Sequence, residues 1–112
     1  MEYPPVIKIT KSDGGINLIL NILPELEAFK GHFESAPIVP GVVQLQWVIK
    51  YAKLYIQDSS SFQTEALEVL KFQNVIQPNT EIELNIKLIK SKLVFAFLSG
   101  DIKHSSGKIS VS

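Results

Sequence analysis

The sequence predicts an α+β fold: a curled antiparallel β-sheet wrapped around one long buried α-helix. Three observations predict it. In residues 40–57 Gln46, Lys50, Lys53 and Gln57 fall on one narrow arc at 100° per residue and apolar residues cover nearly everything else, so a helix there must be covered on several sides. Ile82, Leu84, Ile86 and Leu88 alternate with Glu81, Glu83, Asn85 and Lys87, the two-residue period of a strand with one buried face. The chain order is two strands, the helix and about four more strands, for which a sheet curled around the helix is the simplest assembly.

Tyr3-Pro4-Pro5 leads into a strand at 6–10. Ser12-Asp13-Gly14-Gly15 then makes a turn, and Ile16, Leu18, Leu20 and Ile22 return as one buried face, giving a hairpin. Residues 23–29 suit a helical turn, with Pro24 fitted to its start. In the long helix Val43, Leu45, Trp47, Val48, Ile49, Tyr51, Ala52, Leu54, Tyr55 and Ile56 cover nearly everything outside the polar arc, and Asp58-Ser59-Ser60-Ser61 forms the loop after it. Residues 67–76 are apolar, and Pro78-Asn79 turns the chain into the alternating strand. Residues 93–98 are apolar on both faces, so one side should meet the helix and the other something else. Ser105-Ser106-Gly107 is expected to turn the chain into a last strand at 108–112, keyed by Ile109 and Val111.

With 112 residues and 46% hydrophobic content, the chain is one domain with a single core and no room for a separate cofactor-binding unit, so no cofactor is expected. Formal charge is zero and all eleven basic residues are lysine. No arginine is available for bidentate phosphate or base contacts, which argues against nucleic acid as a partner. The lack of cysteine removes disulfides, thiolate catalysis and the usual structural zinc sites, and suits a reducing cytoplasm. The opening MEYPPVIKIT has an early acid and two prolines in place of a basic patch and an apolar run, so no secretory signal is expected. No stretch approaches the roughly 20 apolar residues of a membrane helix.

Functional information concentrates in residues 31–47, GHFESAPIVPGVVQLQW. His32, an imidazole able to move a proton near neutral pH, lies just before a proline-stiffened loop that opens the helix. Gly41 sits at the helix start, where unpaired N–H groups and the positive end of the dipole converge on an anion, and it has no side chain to hold a ligand off the backbone. A base beside an oxyanion site suits acyl-thioester chemistry. Each residue also has a plainer reading, His32 as a loop cap and Gly41 as a requirement of loop geometry.

Written as G-H-F-x-x-x-P-I-x-P-G-V, with Gly31, His32, Phe33, Pro37, Ile38, Pro40, Gly41 and Val42 in place, the run resembles the signature of hotdog-fold 3-hydroxyacyl-acyl-carrier-protein dehydratases. Val43-Gln44-Leu45-Gln46-Trp47 is most similar to the compact dehydratases attached to aryl polyene biosynthesis clusters. The resemblance implies a single hotdog domain over residues 1–112, paired edge to edge into a dimer with acyl sites at the interface. It implies dehydration of a 3-hydroxyacyl chain, borne on the phosphopantetheine of an acyl carrier protein, to a 2-enoyl thioester in fatty-acid-like or aryl polyene biosynthesis. His32 and Gln46 are then the catalytic positions, and Phe33, Pro40, Gly41 and Val42 bind substrate.

Such a reaction removes a proton from C2, holds charge on the thioester oxygen and helps hydroxide leave C3. His32 is the natural base for C2. Six residues after the proline of Pro-Gly-Val, the fatty-acid enzymes carry Glu or Asp; this chain has Gln46, whose amide hydrogen-bonds but does not trade protons at neutral pH. Gln46 is about 9 Å along the axis from the helix start at roughly 1.5 Å per residue. Facing the site, it would hold the C3 hydroxyl or a water while protonated His32 returns its proton to the departing oxygen; otherwise it belongs to the solvated arc. Glu34 is a substitute acid or a surface glutamate, and His104 is expected to be exposed, with no metal-site spacing. Phe29, Phe33, Trp47 and Tyr51 either line an acyl tunnel or make core. Lys30, Lys71, Lys87, Lys90 and Lys92 are candidates for steering an acidic carrier, against a default of scattered surface charge. A homodimer is expected, with a heterodimer of paralogues as the alternative. The competing functions are a catalytically impaired subunit that binds acyl-carrier chains, and an acyl thioesterase.

Overall fold

The computed structural model describes residues 1–30, 36–56 and 62–112; His32, Phe33 and Glu34, and Gln57 with the Asp58-Ser59-Ser60-Ser61 cluster, lie outside the described residues. Six strands, β1 (Val6–Ser12), β2 (Gly15–Ile22), β3 (Thr64–Phe72), β4 (Thr80–Ile89), β5 (Lys92–Ser99) and β6 (Ile102–Val111), form one antiparallel sheet in the order β1-β2-β4-β5-β6-β3. The long helix α1 (Gly41–Tyr55) lies in the curl of this unclosed sheet, and a 3₁₀ turn, Glu27–Phe29, precedes the histidine motif in the chain.

Register explains why the alternating residues meet. Leu18 pairs with Leu84, Leu84 with Phe97 and Phe97 with Ser105, so one inward row crosses four strands. The next row runs Ile16, Ile86, Phe95 and Gly107. Trp47, Val48, Tyr51 and Ala52, all nearly fully buried, face these rows at the three- and four-residue spacing of one helix stripe. The Trp47 ring meets Phe97 edge-on with centroids 6.5 Å apart. Burying a side chain of this size contributes roughly 1.5–3 kcal/mol, so the two rows and the stripe hold the helix in place.

Several boundaries differ from the sequence expectation. The helix starts after Pro40, which is its N-cap, and ends at Tyr55 with Ile56 as C-cap. Leu54 is exposed, so cover on that flank is less complete than its apolar sequence suggests. The strand expected at 67–76 is β3, which starts and ends earlier; Ile76 lies beyond it as a buried loop residue. Ser105-Ser106-Gly107 is not a turn but the middle of β6. Those small residues answer to packing: Ser105 meets the helix, and a Cβ on Gly107 would stand 2.8 Å from the Phe95 ring. The turn comes at Gly100, in the left-handed region at φ 58°. On β5, Leu93, Phe95 and Phe97 are buried toward the helix while Val94, Ala96 and Leu98 are half-buried on the outer face. Among the described residues no helix is long and apolar enough to cross a membrane.

Candidate active site

Pro40 occupies the position where a Ser, Thr, Asp or Asn would cap a helix, and among the described residues no side chain caps α1. The N–H groups of Val43 and Gln44 both donate to the Pro40 carbonyl at 3.1 Å. Those of Gly41 and Val42 have no partner among the described residues, leaving two donors at the positive end of the helix dipole. Beside them lies a cavity of about 280 Å³, bounded by residues 38–41 and Gln44 on one side and residues 72–75 on the other.

Gln44 is the buried polar side chain of this wall, 4% exposed. Its Nε2 donates to the Val39 carbonyl at 3.1 Å, and its Oε1 accepts from the Ser105 hydroxyl at 2.7 Å. Val39 is held a second time by its N–H, which donates to the Ile76 carbonyl at 2.9 Å. The loop entering the helix is thus clipped to both walls.

The opposite wall is braced by β6. The N–H groups of Gln73 and Asn74 donate to the His104 carbonyl, and Asn74 Nδ2 donates to the Lys103 carbonyl at 2.8 Å. His104 is not exposed as expected but half-buried, with Nδ1 3.0 Å from the Val75 carbonyl and Nε2 2.7 Å from Ser99 Oγ. A carbonyl only accepts, so Nδ1 carries the proton and, in the neutral ring, Nε2 takes the Ser99 hydroxyl proton. His104 therefore fastens the cavity wall.

Of the expected site residues, the structure brings Pro40 and Gly41 together at the cavity. Gly41 has a further reason to be glycine, because a Cβ there would overlap the ring of Phe72, which lies across the helix start. Val42 is 64% exposed and is not among the cavity walls. Gln46 is exposed on the arc with Lys50 and Lys53, beside a shallow hollow that also includes Glu2, Tyr3 and Ile49. His32 and Phe33 lie outside the described residues. Phe29, Trp47 and Tyr51 are buried core, and Lys92 is paired with Glu68 at 2.8 Å. Among the described residues no group of three or more His, Asp or Glu side chains is placed to hold a metal ion. Gln44 was legible in one respect: it stands three, four, seven and eight residues before Trp47, Val48, Tyr51 and Ala52, on the same stripe.

One helix seated in a curled, unclosed antiparallel sheet, with a cavity at the helix start, defines a hotdog-fold protein. The chain belongs to the ApeI-like family, described as ApeI dehydratase, whose model matches residues 8–108. It is similar to one chain of the dehydratase heterocomplex ApeI:P from Xenorhabdus doucetiae, at 30% identity and TM-score 0.89 over 96% of both chains. An uncharacterized protein from Erwinia carotovora subsp. atroseptica matches at 32% identity and TM-score 0.81, over 97% of this chain and 95% of the other. Among curated relatives, 3-hydroxyacyl-acyl-carrier-protein dehydratase FabZ of Levilactobacillus brevis is 30% identical over 64% of this chain, and that of Pediococcus pentosaceus 29% over 82%. The chain spans 52% and 63% of the length of these two enzymes.

Proposed function

We propose that the chain is a subunit of a dehydratase that converts 3-hydroxyacyl thioesters on an acyl carrier protein into 2-enoyl thioesters. The observation that carries this reading is a cavity set against a helix start with two N–H groups that have no partner among the described residues, directly downstream of the histidine motif. His32 takes the C2 proton, the electron pair moves into the C2–C3 bond, and the C3–O bond breaks. Charge building on the thioester oxygen meets the helix-start donors, and the proton held by His32 leaves with the hydroxide as water. A fixed donor of this kind is worth on the order of 3 kcal/mol in the transition state. No cofactor is needed, and the cytoplasm is the compartment where the carrier is met.

The working unit in this reading is a pair of chains joined along β3, whose outer edge has no strand neighbour among the described residues and whose Leu67 and Phe72 are about half exposed. The first reading takes the second chain as another copy. A second reading, a paralogue that supplies a carboxylate, is favoured by the amide at position 46 and by the similarity to a heterocomplex.

Water addition to a 2-enoyl pantetheine thioester tests the proposal. Turnover is expected, falling at least about 100-fold in His32→Ala. Equal rates in the two proteins would remove the enzyme reading, and release of free thiol would mark a thioesterase instead. Turnover that appears only on adding a hotdog paralogue would select the second reading.

A further inference from the structure

We propose that Gln44 recognises the oxygen on C3 of the acyl chain, a role that rests on the dehydratase reading above. The Gln44 side chain is 4% exposed yet lines the cavity. Its orientation is fixed from both ends: the Val39 carbonyl can only accept, so the amide nitrogen faces it, and the amide oxygen takes the Ser105 hydroxyl proton. A flipped amide would set oxygen against oxygen at Val39.

This arrangement uses one of the two amide N–H bonds. The other has no partner among the described residues. A donor left over on a buried group carries a desolvation cost that an acceptor in the cavity would remove. Gly41 and Gln44 both line the cavity, three residues apart on one face of α1 and about 4.5 Å apart along its axis at 1.5 Å per residue. A thioester oxygen at the helix start therefore sets the C3 oxygen, two carbons further along the chain, against the Gln44 amide. Gln46 is two residues on and lies on the exposed arc instead. The Gln44 amide transfers no proton; it holds the C3–O bond in place while the C2–H bond breaks, and it separates 3-hydroxyacyl chains from saturated ones. Ser105, fully buried, acts through Gln44 and is a positioning residue.

The test is calorimetric titration with two unreactive pantetheine amides of one chain length, 3-hydroxyacyl and saturated. Wild type is expected to favour the hydroxylated ligand about tenfold, the scale of one hydrogen bond in a buried site. Gln44→Met, which keeps the volume and drops the donor, should bring the two ligands within about twofold while still binding the saturated one. Ser105→Ala should narrow the preference to about threefold with Gln44 in place. Retention of the full preference in Gln44→Met overturns the proposal, as does equal binding of both ligands by wild type. If circular dichroism shows Gln44→Met unfolded, undiminished preference in Ser105→Ala overturns it. A wild type that binds neither ligand overturns the acyl-site reading and this inference with it.

Discussion

A methyl group added at Gly41 would overlap the Phe72 ring, and one added at Gly107 would stand 2.5 Å from the Val69 carbonyl oxygen and 2.8 Å from the Phe95 ring. The two collisions differ in what can give way. Phe72 is 54% exposed, and its ring can turn toward solvent. Alanine also favours a helix over glycine by up to about 1 kcal/mol, which offsets the lost ring contact. The Val69 oxygen belongs to a strand backbone and Phe95 is 2% exposed, so neither can move without disturbing the core. Urea denaturation should therefore find Gly41→Ala within about 1 kcal/mol of wild type. Gly107→Ala should lose about 2–3 kcal/mol, the cost of overpacking. A large loss at Gly41 with little at Gly107 would mean that the ring over the helix start is fixed and the sheet is compliant.

At the scale of elements, α1 is tied to the amino-terminal lead by the Tyr51 hydroxyl, which donates to the Pro4 carbonyl at 2.5 Å. Tyr51 stacks on Tyr55 and meets Tyr3 edge-on. Burial, and then the neighbouring Tyr55 and Tyr3 phenols, push the Tyr51 phenol well above its ordinary range. The folded chain thus keeps this proton at a pH where the unfolded chain releases it, and stability falls as pH rises past about 10. Tyr51→Phe should cost about 1 kcal/mol at neutral pH, the scale of one hydrogen bond. Its deficit against wild type should shrink in denaturation curves above pH 10; a deficit constant with pH would show that the phenol is not held by burial. The same element-by-element view shows which parts of the chain were legible. The Ile82 to Leu88 alternation announced β4 because one face is core and the other is charged. The helix and its polar arc were equally plain, since Gln46, Lys50 and Lys53 all came out exposed. Ser105-Ser106-Gly107 misled because small polar residues ordinarily mark turns, whereas here one answers Gln44 and another makes room for Phe95. Half of the site, the wall at residues 72–75, carries no chemical signature in sequence. It is a wall only because His104, some thirty residues on, fastens it.

For the molecule as a whole, β3 stands at one edge of the sheet, in the order β1-β2-β4-β5-β6-β3. Among the described residues β3 pairs only with β6, and Leu67 and Val69 on it are exposed. Such an edge invites a second strand. Its sequence is self-complementary for antiparallel pairing with a copy of itself. β3 bulges against β6 at Glu65 and Glu68; paired regularly along its other edge, a twofold axis through Glu68 would set Glu65 opposite Lys71 of the partner subunit and Leu67 opposite Val69 of the partner subunit, and Glu68 is already neutralised by Lys92 at 2.8 Å. Phe72 ends the strand at the cavity, so the second chain would abut the site. Sedimentation should therefore find a species heavier than the 12.5 kDa chain. Glu65→Lys and Lys71→Glu should each weaken association about twofold to fivefold, as directly opposed like charges do across strands, and the double exchange should restore it. Failure of the double exchange to restore association would exclude this register. A wild type that sediments as a monomer, and pairs only when a hotdog paralogue is added, would assign the edge to a different chain.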